Sequence, residues 1–140
     1  MNAKEKLEAA VFDSIGAMMQ AYAEEAVRIA WSDHRKRLDW SDSSIAVLDA
    51  LLEGQSADDP EFQTRLWGGY FGEVLRRQFG GEWSLTQYPG GVAAVPTLEV
   101  QGSRLYPLMK VYRRLTMGAG EDLLSFYRMA AARLRVKPKM

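Results

Sequence analysis

Apolar positions in the first third of the chain recur at helical spacing. Over residues 3–33 they return every three or four residues and form one continuous stripe. This pattern predicts one long N-terminal helix, roughly 45 Å in length. Because that length exceeds the diameter of a small domain, we expect a kink near Gly16 or a projecting end. A second helix is predicted over residues 42–53, with Gly54 as its end.

The most apolar helix of the pattern begins at Pro60. Residues 58–61, Asp-Asp-Pro-Glu, combine a capping carboxylate, a proline at the first helical position and an acid in the first turn. From Leu66 to Phe79, apolar side chains cover more than half of the helix circumference. We therefore expect other elements to surround this helix.

Three glycines lie within this helix, although each costs about 1 kcal/mol relative to alanine. They are Gly68, Gly69 and Gly72. Close approach of another part of the chain would offset that cost, and a ligand touching the helix is the alternative. Glu73 precedes Arg77 by four residues, which is the favourable order for an ion pair on a helix surface.

The strand signals follow the helix. Gly80-Gly81 ends it, and residues 82–88 then alternate between polar and apolar side chains. A second strand is predicted over residues 92–100, and a tight turn leads to a third over residues 104–106. Together they predict a small antiparallel meander that needs helices over one face.

Two helices are predicted to close the fold, one from Pro107 to Met117 and one from Glu121 to Leu134. The expected fold is therefore a single α+β domain of residues 1–140. It has a long N-terminal helix and two further helices, a three-stranded antiparallel sheet and two closing C-terminal helices. Residues 135–140 are expected to form a flexible basic tail.

The available chemistry is limited by composition. The chain has one histidine and no cysteine, so zinc sites of the His/Cys type and Cys-His catalysis cannot be built. It also lacks a P-loop and a Gly-x-Ser-x-Gly turn. We therefore expect no catalytic residue, no metal and no cofactor. A carboxylate-dependent enzyme centred on Glu73 is the alternative.

No apolar run approaches the roughly 20 residues needed to span a bilayer. The N-terminal residues are charged and do not resemble the apolar core of a signal peptide. The sequence therefore predicts a cytoplasmic protein without a membrane partner.

Charge is distributed unevenly along the chain. Residues 1–103 contain nine Lys and Arg against 16 Asp and Glu, whereas residues 104–140 contain nine against two. The two ends could neutralise each other in the folded domain. Alternatively, residues 104–140 form a basic surface for an acidic partner or for nucleic acid.

A non-catalytic protein-binding module is the function that these features favour, because Trp, Tyr and Arg dominate protein interfaces. A homo-oligomer is compatible with it, and a nucleic-acid-associated module using residues 104–140 is the alternative. The candidate binding residues are Trp67, Tyr70, Glu73, Trp83, Arg104, Lys110, Arg113 and Arg114.

Four short segments carry a resemblance to other proteins. They are Leu38-Asp39-Trp40-Ser41, Gly69-Tyr70-Phe71-Gly72-Glu73-Val74, Gly80-Gly81-Glu82-Trp83, and Gly102 with Pro107 and Arg114-Leu115. Over about residues 36–127 the chain resembles a group of small uncharacterised bacterial α+β proteins. In these, a helical half with a Gly-Glu motif precedes a short sheet and closing helices. In size and style it is similar to immunity proteins, which implies a toxin as the partner.

Overall fold

The computed structural model describes residues 1–136, and the α+β class is confirmed. These residues form six α-helices, a short 3₁₀ turn and one three-stranded antiparallel sheet. The helices are α1 (Ala3–Ala9), α2 (Ile15–His34), α3 (Ser44–Glu53), α4 (Pro60–Phe79), α5 (Pro107–Met117) and α6 (Leu123–Arg133). The strands are β1 (Glu82–Gln87), β2 (Ala94–Val100) and β3 (Ser103–Leu105).

The prediction of a single N-terminal helix over residues 3–33 was wrong, because the chain forms two helices there. Ala10 has an extended backbone after α1, with φ −70° and ψ 145°. Ser14 then caps α2, and its side chain accepts a hydrogen bond from the Ala17 amide at 3.0 Å. This serine cap starts a new helix just before Gly16, where a kink was expected. The break leaves α1 without any buried residue.

Helix α4 is the centre of the fold, as its apolar circumference predicted. Helices α2 and α5 pack along it, and two of its glycines make this contact possible. A Cβ atom at Gly68 would lie 2.8 Å from the Cα of Leu108 in α5. At Gly69 it would lie 3.2 Å from the carbonyl oxygen of Met19 in α2. Close packing at both glycines is therefore confirmed.

The start of α4 differs in one detail from its prediction. Pro60 occupies the first helical turn as expected, but the Asp59 side chain makes no capping hydrogen bond. It accepts a hydrogen bond from the Lys4 ammonium of α1 instead, which lowers the pKa of Asp59. The side chain of Gln63 reaches back to the Asp59 amide at 3.1 Å. The Asp59 carboxylate thus links α1 to the start of α4. It binds the Lys4 ammonium because a charged donor forms a stronger hydrogen bond than a backbone amide does.

The sheet has the order β1-β2-β3, and both pairs are antiparallel. Its tight turn lies between β2 and β3, where Gln101 and Gly102 both have positive φ angles of 51° and 80°. The side chain of Gln101 also bonds to both main-chain groups of Arg135, where the predicted tail begins. Residues 137–140 of that predicted tail lie outside the described residues. Of the helices in residues 1–136, none has the length and apolar character needed to cross a bilayer.

Candidate binding site: a basic pocket beside an apolar groove

Two of the candidate residues, Trp67 and Tyr70, are buried in α4 and hold neighbouring segments in place. The Trp67 indole donates to Gln55 at 3.2 Å. The Tyr70 hydroxyl accepts from the Trp40 amide at 2.8 Å and lies 2.7 Å from the Ser44 hydroxyl. Burial raises the pKa of Tyr70. Neither side chain presents a binding surface, since both are at most 1% exposed.

Glu73 is also buried, with 1% of its surface exposed. Its carboxylate accepts three hydrogen bonds, from Arg76 Nε at 2.8 Å, Arg76 Nη2 at 3.0 Å and Trp83 Nε1 at 2.7 Å. Gly72 makes room for the indole, because a Cβ atom there would lie only 2.1 Å from the Trp83 ring. The carboxylate therefore fastens β1 to the C-terminal half of α4.

The predicted surface ion pair between Glu73 and Arg77 was wrong. Arg76, one residue earlier, takes the carboxylate, and this hydrogen bond raises the pKa of Arg76. Arg77 instead lies over the Trp40 ring, with its guanidinium carbon 3.8 Å from the ring centroid. Burial decides between the two arginines, since a buried carboxylate requires a partner that reaches inwards.

Arg114 is a fourth buried candidate, 4% exposed. Its Nε donates to Asp49 at 3.0 Å, and its Nη2 donates to Glu53 at 2.6 Å. Asp49 also accepts from the Leu123 amide at 2.9 Å, at the start of α6. This arginine therefore joins α5 to α3 and uses acidic groups of the N-terminal part of the chain. The expected neutralisation between the two ends is confirmed at this position.

The structure brings together the three remaining basic candidates, Arg104, Lys110 and Arg113. They line a pocket of about 470 Å³, which we call the basic pocket. Arg133 of α6 adds a fourth cation, and the rings of Tyr88 and Tyr106 form part of the wall. The two rings meet edge to face, with 5.0 Å between their centroids.

The charges in the basic pocket are only partly compensated. Arg104 pairs with Glu99 at 3.1 Å, and Lys110 pairs with Glu121 at 2.7 Å. The hydrogen bond from Lys110 lowers the pKa of the Glu121 carboxyl.

Arg113 and Arg133 have no such partner among residues 1–136. Arg113 donates to the hydroxyl of Tyr88 and lies 5.7 Å from the centroid of its ring. Within residues 1–136, neither guanidinium has a carboxylate at ion-pair distance. A phenol leaves the charge of Arg113 in place, so the basic pocket keeps an excess of positive charge.

Local sequence signals account for part of the basic pocket. Lys110 and Arg113 are three residues apart on α5, which places them on one face of the helix. Arg133 and Tyr88 were not among the candidates, and they reach the pocket from α6 and from the turn after β1. Only the packing of those elements against α5 identifies them.

An apolar groove lies next to the basic pocket. It has a volume of about 1080 Å³ and runs between the N-terminal helices, the start of α4, the β1–β2 hairpin and α5. Met109 of α5 lines both the groove and the basic pocket. In the groove wall, Leu85 is 52% exposed and Tyr112 is 42% exposed. The remaining apolar side chains of the wall include Leu7, Phe12, Ile15, Met18 and Leu108.

The last two observations concern metal binding and similarity to known proteins. Within residues 1–136, no group of three or more His, Asp or Glu side chains is arranged to hold a metal ion. Comparisons with protein-family models, with curated proteins and with solved structures found no match for this chain. The resemblance to a group of small bacterial α+β proteins stays a prediction.

Proposed function

We propose that this protein is a non-catalytic binding module, and that its basic pocket recognises an acidic segment of a partner protein. The observation that carries the proposal is the pair Arg113 and Arg133, two guanidinium groups in one walled pocket without a carboxylate partner in residues 1–136. A toxin neutralised by direct binding, in the manner of an immunity protein, is one partner that fits. We place the interaction in the cytoplasm.

Carboxylates suit this pocket for electrostatic and geometric reasons. A guanidinium binds a carboxylate through two parallel hydrogen bonds, which are stronger than bonds between neutral groups. Lys110 and Arg104, which also line the pocket, each pair with a carboxylate of the chain itself, and these pairs support carboxylate as the preferred anion. Arginine and tyrosine are also the residue types that contribute most to protein interfaces.

Association with nucleic acid is the second candidate. It is favoured by the two tyrosine rings beside the arginines, because bases stack on aromatic rings while phosphates bind to cations. Such binding would weaken steeply as salt is raised, by an amount set by the number of phosphates contacted. Recovery of nuclease-sensitive material would favour this candidate over the protein partner.

A carboxylate enzyme centred on Glu73 is the candidate that the geometry supports least. All three hydrogen bonds to this buried carboxylate come from Arg76 and Trp83, the residues that fasten α4 to β1. Acid–base and nucleophilic catalysis would both require a carboxylate oxygen within reach of a substrate, and only 1% of Glu73 is exposed. We propose a structural role for Glu73.

The proposed function can be tested by purifying the tagged protein from its native cells after nuclease treatment, followed by mass spectrometry. We expect one stoichiometric protein to accompany the wild type and to be lost with Arg133→Glu. Arg128→Glu is the matched control, because Arg128 is exposed on the same helix and lies outside the pocket wall. Equal recovery of that protein with both variants would contradict a binding role for the basic pocket.

A further inference from the structure

The apolar groove and the basic pocket meet along one helix. In α5, Met109 and Tyr112 line the groove, whereas Lys110 and Arg113 line the basic pocket. Val111, between them, is fully buried against the core. Apolar side chains therefore line the groove on one side of α5, and cations line the basic pocket on the other side.

The groove has a volume of about 1080 Å³, and apolar side chains make up most of its wall. About half of Leu85 is exposed to solvent in its wall, and Phe12, Ile15 and Met18 are only partly covered. Contiguous exposed apolar surface of this kind marks binding sites, since leaving it in water costs free energy that a partner recovers.

We infer that the groove and the basic pocket form one continuous docking surface for a segment of a partner protein in which apolar side chains adjoin acidic ones. The apolar side chains enter the groove between Leu85 and Tyr112, and the acidic ones reach Arg113 and Arg133. This inference rests on the proposed function and deepens it by stating the chemistry of the partner segment.

A protein segment fits this surface better than a lipid does. Arg113 and Arg133 reach the pocket from two different helices and can each bind a separate carboxylate, whereas an anionic lipid brings its charge in one headgroup.

The test uses the full chain and fluorescein-labelled synthetic peptides, with fluorescence anisotropy as the readout. One probe joins the sequence Leu-Phe-Leu-Leu to four glutamates, and a second replaces its apolar residues with serine. The protein variants are Leu85→Ser in the groove and Arg133→Glu in the basic pocket. Val92→Ser is the control for the groove, because Val92 is also an exposed apolar residue of the β1–β2 hairpin but lines neither cavity.

We expect Leu85→Ser to weaken binding of the apolar–acidic probe about tenfold, the effect of removing one partly buried leucine. The serine–acidic probe should bind more weakly than the first, be unaffected by Leu85→Ser and be lost with Arg133→Glu. Val92→Ser should bind both probes like the wild type. Circular dichroism spectra like that of the wild type would show that each variant is folded.

The outcomes separate the inference from the proposed function. If Leu85→Ser binds the apolar–acidic probe like the wild type while Arg133→Glu loses it, the groove is no part of the surface and the basic pocket stands. If Arg133→Glu leaves both probes bound as before, the proposed function fails. Displacement of the bound apolar–acidic probe by vesicles of anionic phospholipid, but not of neutral phospholipid, would overturn the protein segment in favour of a lipid.

Discussion

At the scale of single residues, the hydrogen bonds around Glu73 decide what that side chain can do. The Glu73 side chain is 1% exposed, and both of its carboxylate oxygens accept hydrogen bonds from protein donors. The donors come from the same helix and from the first strand. Glu73 is thus a fixed part of the packing between α4 and the sheet.

The variant Glu73→Gln should destabilise the fold, because it removes the negative charge and leaves at least one donor of Arg76 or Trp83 without an acceptor. We expect the free energy of unfolding to fall by about 2 kcal/mol, a value below that of a fully buried pair because Arg76 is partly exposed. Urea denaturation measures this change. Glu61→Gln, at an exposed position of the same helix, should leave the midpoint nearly unchanged. Equal midpoints for the two variants would contradict the structural role.

Tyr70 gives the fold a dependence on alkaline pH. Burial raises the pKa of its hydroxyl, so the folded-state value lies above the unfolded value of about 10. The stability that the neutral hydroxyl contributes is present below pH 10 and is lost as the pH rises through the folded value. Tyr70→Phe should therefore flatten the fall in stability above pH 10, although it also loses the bonds to Trp40 and Ser44.

Thermal unfolding between pH 8 and pH 11 tests this prediction. Tyr127, whose pKa is also raised by burial, remains in the variant, so only part of the alkaline dependence should disappear. A melting temperature that falls with pH in Tyr70→Phe as steeply as in the wild type would contradict it.

At the scale of elements, α4 is organised by its glycines. Gly68 and Gly69 bring α5 and α2 against its backbone, and Gly72 receives the Trp83 ring of β1. Each glycine has a different neighbour, so the intrinsic cost of three glycines in one helix is offset by three separate contacts. The N-terminal region shows the opposite case, where a serine cap divided a continuous apolar pattern into two helices.

Gly72→Ala should be strongly destabilising, because the added methyl group would lie 2.1 Å from an indole held by its bond to Glu73. We expect a net loss of about 2 kcal/mol, since overpacking outweighs the gain in helix propensity. Gly120→Ala is the control, as a Cβ atom there has no neighbour within 4 Å. Chemical denaturation of the two variants tests this, and a Gly72→Ala protein as stable as the wild type would show that Trp83 can move aside.

At the scale of the whole molecule, the charge asymmetry of the chain serves two purposes. Arg114 carries positive charge from the C-terminal part inwards, to Asp49 and Glu53 of α3. Arg113, its neighbour in sequence, lines the basic pocket. No carboxylate of residues 1–136 lies at ion-pair distance from it. Part of the asymmetry is therefore neutralised inside the fold, and part remains at the proposed binding surface.

Arg114→Met should destabilise the protein, because it leaves Asp49 partly buried without its cation and breaks the link between α3 and α5. We expect a loss of about 2 kcal/mol in the free energy of unfolding. Arg104→Met removes an exposed pair with Glu99 and should cost no more than about 0.5 kcal/mol. If the two substitutions have equal effects in urea denaturation, Arg114 is not the structural arginine that its burial indicates.

Much of the fold could be predicted because its signals are local. The bounds of α4 and α5 follow from prolines at their starts and glycines after their ends, and the strands follow from alternation after Gly80-Gly81. The break before α2 was missed because apolar spacing continues through it, and only the Ser14 cap marks it. Of the candidate site, Lys110, Arg113 and Arg114 could be grouped from their spacing on one helix, and only burial separates Arg114 from the other two.

The sequence by itself determined the α+β class, the central apolar helix and the excess of positive charge after residue 103, because periodicity and composition are properties of neighbouring residues. Only the tertiary structure decided which arginine meets which acid. In each adjacent pair of arginines, the two residues are chemically equivalent in the sequence, and only their burial in the fold distinguishes them. The pairs are Arg76 with Arg77 and Arg113 with Arg114. Since burial depends on segments far apart in the chain, the basic pocket and the groove beside it became visible only in the folded molecule.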